Sequence, residues 1–123
     1  MSIKARRRAF LNKTIKYYNS TNRGIDTRTN HCTYRNGCAI GRFLKEDHCI
    51  ELDRLRWGIS EVLADKDYNK MIPVKIKNLG SKFLREIQIL HDTNQNWNET
   101  GLTEYGEINV EEIMDNFKLK RAR

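Results

Sequence analysis

The dipeptide Asn36-Gly37 is the strongest local constraint in this chain. Both central residues of a type I′ turn need positive φ, and Asn-Gly adopts it most readily. β-prone Thr33, Tyr34 and Ile40 flank the pair. The spacing predicts a short β-hairpin over residues 32–40, with Tyr34 opposite Ala39, Thr33 opposite Ile40 and Cys32 opposite Gly41. A hairpin this short is not stable alone and must lie on helices.

Helical periodicity supplies those helices. Over residues 3–18, Phe10, Leu11, Thr14, Ile15 and Tyr18 fall on one side, and Arg6, Arg8, Lys13 and Lys16 elsewhere. Arg7 projects from the apolar side, towards a partner or from a frayed turn. Residues 19–24, rich in turn formers, end this helix. A short helix follows over 45–57, closed by Gly58, with Glu46 and Asp47 in its first turn. Ser60 is the expected N-cap of the next. Pro73 interrupts the helical pattern, and Val74-Lys-Ile76 reads as a third strand or an extended link. The most regular helix is 81–92, capped by Ser81, with Phe83, Leu84, Ile87, Leu90 and His91 on one face. Residues 94–106 read as a loop anchored by Trp97 and Leu102. The last helix is expected from Asn109, where Asn109 and Glu112 form a capping-box variant. The predicted fold is therefore α+β: four to five helices packed around a short β-hairpin, in a single domain over residues 1–123.

Charge is the second constraint. The 123 residues carry a net charge of +7, unevenly placed. Lys4, Arg6, Arg7, Arg8, Lys13, Lys16, Arg23 and Arg28 face Asp26 alone in residues 1–30. The segment 96–117 holds only acids, and the tail 118–123 is basic again. A basic arm points to an acidic partner, a nucleic acid or a host protein. The internal alternative is that the basic helix packs near the acidic segment. Tyr17 or Tyr18 could stack on an unpaired base. There is no helix-turn-helix, zinc-finger or RNA-recognition signature. No apolar run is long enough to span a membrane, and the basic start lacks the apolar core of a secretory signal. Membrane partners are not expected, and the expected compartment is the cytoplasm.

Three cysteines, an odd count, argue against a secreted disulfide framework. Cys32, Cys38 and Cys49 with His31, His48 or His91 could offer zinc ligands. Structural zinc sites, however, usually begin from closely spaced knuckles, and the Cys32–Cys38 gap crosses the predicted turn. Cys38 near His91-Asp92 could imitate a nucleophile, base and orienting group. Nothing places Cys38 at a helix start, where a thiolate would be stabilised. Packing is the simpler reading of both, and neither metal nor cofactor is expected.

The combination of Cys32-x-Tyr34, Gly37-Cys38-Ala-x-Gly41-Arg42, Leu84-x-x-Ile87-Gln88-x-x-His91-Asp92 and Trp97 resembles a group of small uncharacterised proteins of phages and bacteria. The resemblance spans roughly residues 8–113 and does not extend to the loop 43–48. It implies a phage-type accessory protein in the cytoplasm of a bacterial host, acting by binding a host macromolecule or an anionic ligand, as a host-takeover or counter-defence inhibitor. It assigns no catalytic residue. The two rival expectations are a nucleic-acid-binding protein using the basic helix, and a Cys/His-dependent enzyme or zinc protein.

Overall fold

The computed structural model describes residues 2–23, 25–26, 31–35 and 37–119, with the backbone alone at 25, 26, 31 and 32. Asn36, Arg28 and the tail from residue 120 lie outside the described residues. The described chain is α+β. Its α-helices are α1 (Ile3–Tyr17), α2 (Glu46–Leu55), α3 (Ile59–Ala64), α4 (Val74–Lys77), α5 (Ser81–Asp92) and α6 (Glu104–Asn116). Two antiparallel ladders accompany them: β1 (Ile25–Asp26) with β2 (His31–Cys32), and β3 (Trp97–Asn98) with β4 (Gly101–Leu102). α5 sits at the centre and packs on α1, α3 and α6. Its Phe83, Leu84, Ile87 and Leu90 join one core with Leu11, Ile40, Leu52 and Val62. No helix among the described residues is long and apolar enough to cross a membrane.

The stripe read for α1 is the buried one: Phe10, Leu11, Thr14 and Tyr18 are covered. The Ser2 hydroxyl accepts from the Ala5 N–H at 3.1 Å and caps the first turn. Asn19 ends the helix as a turn former, its Oδ1 accepting from the N–H groups of Thr21 and Asn22.

The hairpin is not where Asn36-Gly37 puts it. Among the described residues, Tyr34–Arg35, Gly37 and Ala39–Ile40 lie in turns, not strands, with Gly37 N–H donating to Tyr34 O at 3.1 Å and Cys38 N–H to Thr33 O at 3.3 Å. Two forces displace the ladder. Ala39, Ile40 and Gly41 are all buried in succession, whereas a strand would alternate their faces. The Asp53 carboxylate accepts from the N–H groups of Tyr34 and Arg35, at 2.8 and 3.0 Å, taking donors that a partner strand would use. β2 pairs with β1 instead, Ile25 opposite Cys32 and Asp26 opposite His31.

Several helix boundaries move for physical reasons. Gly58, not Ser60, precedes α3, and its N–H donates to Glu61. Gly80, not Ser81, precedes α5. Pro73 does not lead into a strand but starts α4, its carbonyl accepting from Ile76 and Lys77. Proline lacks only an N–H that a helix start leaves unused. α6 begins five residues before Asn109, capped by Thr103, whose hydroxyl accepts from Gly106 N–H. Gly106 is a contact residue inside the helix, since a Cβ there would lie 2.4 Å from Asn96 O. Asn109 is inside too, donating to Asn96 Oδ1 at 2.7 Å.

Gly41 carries the tightest demand of this kind. A Cβ on it would sit 2.2 Å from Tyr34 O and 2.6 Å from Tyr34 Cα, both backbone atoms that cannot swing away. We expect Gly41→Ala to destabilise the chain by about 2–4 kcal/mol. Gly37→Ala, with positive φ but open space around it, should cost only about 1 kcal/mol. Urea unfolding of the two variants checks the difference, and equal costs would contradict it.

Candidate functional site

The N-terminal bases divide into those the fold consumes and those it leaves free. Arg7 does not reach outward: its Nε donates to Leu79 O at 2.8 Å, and its guanidinium lies over Phe83 and Phe117, 5.5 and 5.1 Å from their centroids. Arg8 Nε donates to Leu119 O at 3.0 Å. Arg23 is 3% exposed, donating to His91 O and to Asn94 Oδ1, so it does not extend a surface patch. These three cations answer carbonyl oxygens left over at chain turns and helix ends, which need donors when buried.

Lys4, Arg6, Lys13, Lys16 and Tyr17 remain exposed. At about 100° per residue, Arg6, Lys13, Lys16 and Tyr17 share one side of α1, while Lys4 lies opposite. That side meets a 3₁₀ turn over Gly41–Phe43. Lys13, Lys16 and Tyr17 together with Arg42 and Phe43 line an open recess of about 560 Å³. The Arg42 guanidinium is held among three rings, 4.7 Å from the Tyr17 centroid, 5.3 Å from Tyr18 and 4.6 Å from Phe43. Its Nε and one terminal nitrogen are buried with no hydrogen-bond partner. Cation–π attraction at partly dry sites, up to about 2 kcal/mol, helps offset that cost. Among the described residues, no carboxylate pairs with Arg6, Lys13, Lys16 or Arg42. The acidic segment 96–117 therefore does not neutralise this face by ion pairing.

The motif residues form a structural group. Tyr34 is buried; its hydroxyl donates to Trp57 O at 3.1 Å, and burial pushes its phenol well above the usual range. Cys38 Sγ accepts from Gly41 N–H at 3.2 Å, and Cys49 Sγ donates to Gly41 O at 3.5 Å. Both thiols are buried, and burial foremost, then Asp53 and Glu46, pushes Cys49 up. A thiol so placed is a poor nucleophile. His91 is fully buried; its Nδ1 lies 2.7 Å from Asp92 Oδ1 and its ring stands edge-on to Tyr18 at 4.5 Å. Trp97 donates from its indole N–H to the carbonyls of Leu90 and His91. The side chains of His31 and Cys32 lie outside the described residues. Among those described, no cluster of three or more His, Cys, Asp or Glu is arranged to hold a metal.

Arg42 and Phe43 complete the recess without having been assigned to it from the sequence. The available signal was the order Gly-Arg-Phe beside a Lys-Tyr-Tyr helix end: a small residue that lets the turn close, then a cation and a ring. No protein-family model, curated protein or solved structure matches the chain.

The buried thiol and phenol set the alkaline behaviour. The folded chain keeps Cys49 neutral above its ordinary pKa of 9.0, where an unfolded chain releases the proton. The unfolded state then binds fewer protons, so stability present below that pH is lost as pH rises. Tyr34 acts in the same direction above its ordinary 10.0. Urea midpoints should fall as pH climbs past these ordinary values, and Cys49→Ala should flatten the first part of the fall. An identical slope in the variant would contradict this assignment.

Proposed function

We propose that the protein acts by binding a polyanionic partner through the exposed side of α1 and the Gly41–Phe43 turn. The observation that carries this reading is that Lys13, Lys16 and Arg42 line a recess beside two exposed rings, with Arg6 further along the same side of α1, and that none of the four is paired with a carboxylate among the described residues. Unpaired like charges held together repel one another, and an arriving polyanion relieves that repulsion while releasing its own counterions. In the bacterial cytoplasm that the phage-like motif implies, the partner is a nucleic acid or an acidic host protein, and occupying it is the accessory role. Catalysis has less support: the described thiols are buried against Gly41, and His91 is closed off beneath Tyr18.

Elution from heparin tests the reading. Lys13→Gln/Lys16→Gln/Arg42→Gln should elute at clearly lower salt than the parent, with its helical circular dichroism retained. A control that removes the same charge elsewhere, Lys66→Gln/Lys70→Gln/Lys75→Gln, should elute close to the parent. Equal shifts in the two triple variants would reduce the patch to net charge alone. Should Arg42→Gln disturb folding, Lys13→Gln/Lys16→Gln against Lys66→Gln/Lys70→Gln gives the same contrast.

A further inference from the structure

Resting on the polyanion reading, we infer that the ligand of this face is an unpaired nucleic-acid strand, with a base stacked on Tyr17 or Phe43 and its phosphates on Arg6, Lys13 and Lys16. The rings distinguish this ligand from other polyanions. A duplex hides the faces of its bases, polyphosphate and heparin have none, and an acidic protein surface offers carboxylates. Only an unpaired strand gains from flat apolar platforms set beside lysines.

Tyr17 and Phe43 are such platforms. They are 54% and 41% exposed, yet each is backed from behind. Phe43 rests on Phe10 with centroids 5.5 Å apart, and Tyr17 meets the edge of Tyr18 at 4.7 Å. Arg42 lies against both rings. Rings fixed before the ligand arrives lose little freedom when it binds. The recess, about 560 Å³, is wide open to solvent, which suits a strand laid along the surface rather than an enclosed small molecule.

The cations set the length of the ligand. Arg6 and Lys16 are ten residues apart on one helix, about 15 Å at 1.5 Å per residue. That row outreaches a single nucleotide and tracks a strand. Stacking and phosphate contacts carry no base identity, so binding is sequence-tolerant. Arg42 adds a partly buried charge, which salt screens less than it screens the lysines.

Fluorescence anisotropy with the full chain and a labelled strand of about 12 nucleotides, within the usual range of single-strand site sizes, tests the inference. The single strand should bind at low salt and should be displaced by itself more readily than by the matched duplex or inorganic polyphosphate. Tyr17→Ala and Phe43→Ala should each weaken strand binding about tenfold without moving heparin elution, and Phe43→Tyr should bind like the parent. Affinity should fall with salt at a log–log slope of about −3 if four phosphates are met, and Lys16→Gln should reduce that slope by about 0.7. Equal binding of strand and duplex, or folded alanine variants that bind normally, overturns the inference and leaves the polyanion reading standing. Patch-dependent heparin retention with no strand binding overturns it in favour of an acidic protein partner. Absence of binding to every polyanion at low salt overturns both.

Discussion

Tyr18 is the residue through which the separate parts of this fold meet. It follows the last turn of α1 and is almost fully buried. Its hydroxyl donates to Gly37 O at 2.7 Å, tying the helix to the turn segment. Its ring stands edge-on to His91 and Trp97, centroids 4.5 and 6.2 Å away, which ties the same point to the end of α5 and to β3. Its other neighbours are Tyr17 and Arg42, at the wall of the recess. A large side chain with one polar handle can satisfy an apolar core and a buried carbonyl at once. Gly37, Arg42, His91 and Trp97, far apart in sequence, are near one another because they surround this residue.

A second organising effect is the use of arginine as an internal donor. Short helices and tight turns leave many carbonyls without helical partners. Arg7, Arg8 and Arg23 answer those of Leu79, Leu119 and His91. The Arg7 guanidinium also lies over the rings of Phe83 and Phe117. The positive charge of the N-terminal segment thus serves two ends. Part of it holds α1 to the turn after α4, to α5 and to Leu119, and part of it faces solvent.

The helices were legible because burial repeats at helical spacing, as Phe10, Leu11 and Thr14 show in α1, and Phe83, Leu84, Ile87 and Leu90 in α5. Features set by contact between distant segments were not. Asn36-Gly37 is a sound local signal, but the Asp53 carboxylate and the burial of Ala39–Gly41 outweigh it. Gly106 reads as a loop residue until Asn96 O is seen against it, and this hid the first turns of α6. The candidate face was half legible. Lys13, Lys16 and Tyr17 follow from the charge and periodicity of α1. Arg42 and Phe43 join them only through tertiary packing, and packing likewise withdraws Arg7, Arg8 and Arg23.

Gly41 links interior and surface more closely than a connecting turn ordinarily does. Its backbone lies against Tyr34, and the next two residues wall the recess. The wall therefore has no separate hinge: displacing the turn means displacing a buried backbone contact. A substitution beneath the turn will register at the recess, and an insertion near Gly41 will disturb the interior first. Two otherwise separable properties, standing folded and presenting a surface, are inherited here as one.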